Sequence, residues 1–278
     1  MIPELPPLYI DHLVQPHGQE DLSDGEAEGS SGSMVGGLGV RVTLSWRADK
    51  NGDAVIRAAS ARVFGSAAPL APASYLSEYI TGLTTEAAEE IRAEDLLQAL
   101  AGSSRFVLPE AVSRGAAFAI SALHCALGLP GMRPSDPEGD GILVCRCLTV
   151  GDRAIRRAIR EGADSADAIG EACRAGTGCG SCYPDLLQIL HEERIPPVPP
   201  PPRDLHPIAR ITLARVAPIL EAQGQAIRDV QVTDDAVCLG LYPQNGEALL
   251  PPRGAQAVAR RVLREIVSED VAVELLPI

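Results

Sequence analysis

Val144-Cys145-Arg146-Cys147-Leu148-Thr149-Val150 and Ala175-Gly176-Thr177-Gly178-Cys179-Gly180-Ser181-Cys182-Tyr183-Pro184-Asp185-Leu186 are the stretches on which the reading of this chain turns. Together they set out Cys-x-Cys, 31 intervening residues, and Cys-x-x-Cys. Thiolates are soft ligands, and four of them suit either Zn²⁺ or an iron–sulfur cluster. The first pair favours the cluster. Two cysteines one residue apart lie on the same side of an extended segment and can hold one iron. Zinc sites favour two to four intervening residues, where the chain loops around a single ion.

The residues between the pairs read as two helices. Thr149 and Asp152 have the spacing of a capping box that opens a helix over Gly151–Glu161, closed by Gly162. Ser165 is the expected cap of a second helix, Ala166–Arg174, and Pro184 suits the first turn of a third, running to His191. Each cysteine pair therefore precedes a helix N-terminus, where free N–H groups favour an anionic cluster. Glycines 176, 178 and 180 let the backbone approach the sulfurs. From Cys145 to Arg174 six arginines face five acids, a net of +1 in a chain of net charge −13. Arg146, Arg153, Arg156 and Arg157 are candidates to offset cluster charge or to dock an acidic partner, with a solvated helix face as the plain alternative.

Outward from this unit, a connector with three prolines (Gly128 to Gly141) leads back to an α+β domain at residues 1–129. There Val40, Val42, Leu44 and Trp46 alternate with polar residues, the mark of a half-buried strand. Asn51-Gly52 predicts a hairpin turn into a second strand over Ala54–Phe64. Helical patterns follow at Ser74–Ile80, Glu86–Ala101 and Glu110–Leu127, after an acidic, Gly/Ser-rich stretch from Gly18 to Gly39. On the other side, Ile195-Pro196-Pro197-Val198-Pro199-Pro200-Pro201-Pro202 marks a linker over residues 194–205, extended at about 3.1 Å per residue. Residues 206–278 read helix (Ile211–Gln223), two strands (Ile227–Val232, Ala236–Leu241), helix (Ala255–Val267) and strand (Val271–Leu276). The fold class is thus α+β multidomain, with the cysteines at 142–193 in a small all-α domain.

Composition narrows the function. Hydrophobic residues make up 46% of the 278, so core material is ample, and two or three domains are expected. One lysine, Lys50, and the strong acidity argue against nucleic acid and anionic membranes as partners. No run of about 18 apolar residues exists, and the N-terminus lacks the form of a secretion signal, so the expected location is the cytoplasm. In that compartment seven cysteines are thiols or metal ligands rather than disulfides. Cys125, Cys173 and Cys238 sit in apolar helix and strand contexts and read as packed small residues. His12 and His17 are close in sequence and read as ordinary surface or interdomain residues.

Ile142 to Leu190 resembles the bacterioferritin-associated-ferredoxin type of [2Fe–2S] domain, through the two quoted stretches and the helix pair between them. That resemblance places the cluster on Cys145, Cys147, Cys179 and Cys182. Leu8-Tyr9-Ile10-Asp11-His12-Leu13-Val14-Gln15-Pro16-His17-Gly18-Gln19 resembles the opening of U-type iron–sulfur scaffold proteins, and Val63 to Ile91 resembles their second cysteine loop and the helices after it. Leu213 to Val232 and the strand, loop and helix beyond have the order of an Nfu-like domain. The three together resemble the NifU family.

The departures are as informative. The family's scaffold domain uses three cysteines and an aspartate. The resemblance puts the first two of those positions at Val35 and Ser66 and the third near Leu108, with Gly37 at the aspartate. The Nfu-like loop, Leu241-Tyr242-Pro243-Gln244-Asn245-Gly246, has no Cys-x-x-Cys. Valine and leucine do not bind iron, and a neutral hydroxyl is a poor substitute for thiolate. The resemblance implies a non-enzymatic protein of iron–sulfur cluster assembly, with nitrogenase maturation as a candidate process, one permanent [2Fe–2S] cluster for single electrons and flanking domains kept for docking. Its implied partners are a cysteine desulfurase, a genuine scaffold or a client apoprotein, and an electron donor; a homodimer is implied by resemblance alone. Two alternatives stay open: an electron carrier for an unrelated reductase, and a zinc-stabilised structural adaptor.

Overall fold

The structure is a computed structural model that describes residues 2–33, 36–50, 52–102, 106–129, 141–194, 199–244 and 250–276. The chain forms two compact units. One comprises Pro6–His12 and Pro16–Leu143; the other comprises Met1–Leu5, Leu13–Gln15 and Val144–Ile278.

In the first unit, helix α1 (Pro7–Val14) precedes strands β1 (Ala27–Ser33), β2 (Leu38–Ala48) and β3 (Ala54–Gly65), which form one antiparallel sheet in that order. Helices α2 (Leu70–Ile80), α3 (Thr85–Glu89), α4 (Ala93–Ala101) and α5 (Glu110–Ala126) follow. Val40, Val42, Leu44 and Ile56 on the apolar face of the sheet pack with Leu76 and Ile80 of α2 and Ala119 and Leu123 of α5. The β2–β3 hairpin closes as the sequence predicts, with Asp49 N–H on the Asp53 carbonyl at 2.9 Å and Gly52 N–H on the Asp49 carbonyl at 3.2 Å. Asn51 itself lies outside the described residues.

Three expectations change here. β2 is not half-buried: Gly39–Ser45 is buried on both faces. It is the central strand, and residues 19–26 close over its polar face, where Asp21 pairs with Arg41 at 2.8 Å and Arg62 at 3.2 Å, and Asp24 pairs with Arg57. Strand β1 was not expected, because Ala27–Ser33 consists of small and polar residues with no apolar period. Its smallness is what α5 requires, since a Cβ on Gly29 would lie 2.2 Å from the Ala122 carbonyl oxygen and the Ala126 nitrogen. The expected single helix over Glu86–Ala101 is two, because Arg92 is extended (φ −119°) and donates its N–H to the Asp95 carboxylate at 2.8 Å, which starts α4 afresh.

In the second unit, β4 (Leu143–Cys145) pairs with β5 (Val150–Gly151), and helices α6 (Asp152–Arg160), α7 (Ala166–Cys173) and α8 (Tyr183–Arg194) follow. The last third of the chain gives α9 (Pro207–Arg215), α10 (Ala217–Glu221), β6 (Gln225–Val232), β7 (Ala236–Pro243), α11 (Pro252–Ile266) and β8 (Ala272–Leu275). Here the sheet order is β6-β7-β8, antiparallel and then parallel, with α11 as the crossover that a parallel pair needs. The element order matches the sequence reading, except that the helix expected over Ile211–Gln223 breaks at Val216. Pro218 lacks the N–H that would continue it and its ring clashes with the preceding turn. Residues 195–198 of the proline run, and Asn245 and Gly246 of the loop after β7, lie outside the described residues.

Candidate metal centre

Helices α6, α7 and α8 pack on one another and carry the cysteine loops at one end. Ile155, Ile159, Ile169, Leu186 and Ile189 are buried between them. Ser165 caps α7 as expected, its hydroxyl accepting from Ala168 N–H at 3.2 Å. Arg156 fastens α6 to α8. Its side chain is only 3% exposed and pairs with Glu192 and Glu193, each at 2.8 Å, and with Asp152 at 3.6 Å. Arg156 is therefore a structural cation and not a cluster or docking residue, whereas Arg146 and Arg157 are exposed and Arg153 is partly so.

The expected capping box at Thr149 does not form. Thr149 adopts a left-handed conformation (φ 54°) in the turn that brings β4 back to β5, and Gly151 is the residue that precedes α6. Asp152 is spent on Arg156 instead. Cys145 ends β4, while Cys147 lies in the turn rather than on an extended segment. The turn still brings the two sulfurs to 3.9 Å. Two thiolates on one tetrahedral ion at bonds of about 2.3 Å stand about 3.8 Å apart, so this pair suits a single metal atom. Cys179 and Cys182 come from the loop into α8, with Cys182 directly before its first residue. Cys182 interacts with Cys145, and Cys179 with Cys147, so the structure brings all four sulfurs together.

Their surroundings differ. Cys145 and Cys182 are buried, and Cys147 and Cys179 are exposed. Burial pushes the Cys182 thiol up to about 11. Burial also acts upward on Cys145, but the N–H groups of Gly176 and Leu148, with the neighbouring thiols, outweigh it and leave Cys145 below its usual value. The Ser181 hydroxyl, 3.1 Å from Cys179 Sγ, and the Ser181 N–H hold Cys179 down at about 7. Backbone donors thus face the sulfurs from both loops, as an anionic sulfur centre requires. Gly178 completes the cradle, since a Cβ there would lie 2.7 Å from Cys147 Sγ. Paired thiols, convergent N–H groups and a close backbone fit a [2Fe–2S] cluster held by Cys145, Cys147, Cys179 and Cys182.

The remaining candidates fall elsewhere. Cys173 ends α7 and its thiol donates to the Ile169 carbonyl at 3.2 Å. Cys125 is buried on α5, and Cys238 is half-buried in β7 opposite Gln231 and Glu274. In the first unit Ser66 N–H donates to the Gly37 carbonyl at 2.8 Å, so two of the aligned scaffold positions are neighbours; Leu108 is half-buried ahead of α5 and Val35 lies outside the described residues. One grouping was missed from the sequence. His12, His17 and Glu78 bring three potential ligand atoms within 4.8 Å of one another. Glu78 is remote in sequence, so only the seating of α2 reveals the group.

Comparison with known proteins agrees with this arrangement. Residues 8–129 match the NifU-like N terminal domain, and residues 143–192 match the BFD-like [2Fe-2S] binding domain. The nitrogen fixation protein NifU of Trichormus azollae is 30% identical over 171 residues, covering 60% of this chain and 54% of that protein. The chain thus spans about half the length of this curated relative. A nitrate reductase of Klebsiella oxytoca is 44% identical over 50 residues, covering 18% of this chain and 6% of that protein. A crystal structure of a candidate SUF-system iron–sulfur scaffold from Fervidobacterium islandicum AW-1 has 16% identity and a TM-score of 0.31, covering 44% of this chain and 94% of that one. Among the described residues no helix is long and apolar enough to cross a membrane. Residues 8–129 thus form a NifU-like N-terminal domain and residues 143–192 a BFD-like [2Fe–2S]-binding domain, in agreement with the NifU-family resemblance read from the sequence.

Proposed function

We propose that this protein is a non-enzymatic, cytoplasmic component of iron–sulfur cluster assembly whose four motif cysteines hold one permanent [2Fe–2S] cluster for single-electron transfer. The observation that carries this reading is the sulfur arrangement: four cysteines drawn together, two buried under backbone donors and two at the surface. When bound, the cluster supplies one-electron reduction and oxidation. The chain's own residues do the rest. Cys145 and Cys182 anchor the centre in the helical core, and exposed Cys147 and Cys179 keep its edge within reach of a redox partner. The NifU-like N-terminal domain carries Gly37, Ser66 and Leu108 where its family's ligands align, which supports a docking role in place of cluster building. The partners are a cysteine desulfurase, a scaffold or a client apoprotein, together with an electron donor. The names of its nitrogen-fixation relatives support service to nitrogenase maturation.

A second reading, a carrier dedicated to another reductase, is favoured by one finding. A 50-residue stretch of the chain has a counterpart in a protein named for nitrate reduction. Anaerobic iron and acid-labile sulfide analysis, with EPR of both redox states, tests the centre. About two irons and two sulfides per chain, with a signal only on reduction, is the expected result. One zinc without sulfide sinks the redox reading. Binding to a cysteine desulfurase or scaffold protein separates the assembly role from the dedicated carrier.

A further inference from the structure

We propose that His12, His17 and Glu78 form a second, mononuclear site for a divalent first-row transition ion of the zinc(II) type, independent of the cysteines. His12 comes from α1, His17 from the segment after it, and Glu78 from α2. Nε2 of His12 and of His17 stand 4.0 and 3.8 Å from the same Glu78 oxygen. Those separations are too long for hydrogen bonds. They exceed by about 0.7 and 0.5 Å the edge, about 3.3 Å, of a tetrahedron of nitrogen and oxygen ligands at about 2.0–2.1 Å from zinc. The three atoms thus border a gap of the size of an ion.

One oxygen faces the His12 imidazole and holds the His17 backbone. Ser74 Oγ lies 2.8 Å from His12 Nδ1 and accepts the His17 backbone N–H at 2.8 Å. A metal on Nε2 of His12 fixes its proton on Nδ1, where Ser74 Oγ accepts it, the outer partner that a ligating imidazole ordinarily has. The Tyr75 ring stands edge-on to His12 at 5.6 Å and limits its rotation. The His12 side chain is 5% exposed, while those of His17 and Glu78 are 59% and 62% exposed. One ligand is therefore held in the core, and two exposed ones meet it at the surface, where an ion can enter from solvent. Two neutral imidazoles and one carboxylate give a borderline donor set with room for water, which suits zinc(II) better than calcium or magnesium.

The test is zinc(II) titration of the full-length protein by calorimetry, with bound zinc counted after desalting, on the wild type and on His17→Ala and Glu78→Gln. Both substitutions lie at exposed side chains, and circular dichroism checks that the fold is kept. The four cysteines are the same in all three proteins, so zinc taken by thiols cancels in the comparison. The expected result is one zinc equivalent more in the wild type than in either variant. Equal zinc numbers and affinities in all three overturn the proposal.

Discussion

Gly178 leaves no space for a side chain beside Cys147, and the atom a new Cβ would displace is the sulfur itself. Elsewhere such a clash could be relieved by rotating the neighbour, but here rotation removes a ligand from the group of four. Gly178→Ala should therefore speed cluster loss by about tenfold or more, on the scale of outer-shell changes at metal sites, read as the decay of visible absorbance under a chelator. Cys173→Ala should leave the spectrum and the decay unchanged, because that thiol is turned to the Ile169 carbonyl. Equal decay in Gly178→Ala and wild type would refute the cradle. The four cysteines and Gly178 were legible because thiolate chemistry and local spacing announce them. The role of Arg156 was not, since its partners Glu192 and Glu193 lie a helix away and an arginine alone does not say which charge it will meet.

At the scale of elements, the α6–α8 clamp links stability to pH. Burial acts upward on the Glu193 carboxyl, but hydrogen bonds from Arg156 and Arg160 outweigh it and hold the group below its usual value. A carboxylate depressed by folding stabilises the protein fully above its unfolded value, about 4.3, and that contribution is lost as pH falls through the folded value. Glu193→Gln should thus lower the thermal midpoint at pH 7 and lose less stability than wild type between pH 5 and 3. Parallel curves for the two would count against the clamp. Arg156→Ala leaves carboxylates facing each other with Asp152 buried, and should cost about 3 kcal/mol or more. Elements with a strong apolar period or a local stop signal, such as β3, α5 and α11, were readable in advance. The ones that were not are set by tertiary contacts: β1 is a strand because α5 presses on Gly29, and β2 is buried twice because Asp21 and Asp24 bring a loop across it.

The whole molecule joins a domain that has the framework of a cluster scaffold to one that has the thiols of a cluster holder. Ser66 and Gly37 meet through a backbone hydrogen bond, as neighbouring site loops would, yet offer no thiolate. Neutral serine is a weak iron ligand and glycine offers none. The remaining cysteines outside the motif are dispersed: Cys125 inside α5, Cys173 at the end of α7, Cys238 in β7. If the flanking domains serve docking alone, the capacity to hold iron together with sulfide as a cluster belongs entirely to the four motif cysteines. The full-length Cys179→Ala protein, incubated anaerobically with ferrous iron, sulfide and a thiol reductant and then desalted, should retain neither visible absorbance nor labile sulfide. Wild type treated in the same way should stop at about two labile sulfides per chain. A Cys179→Ala protein that kept about two irons and two sulfides would place a working cluster site outside the motif, and the flanking domains would then be builders of clusters rather than surfaces for those that build them.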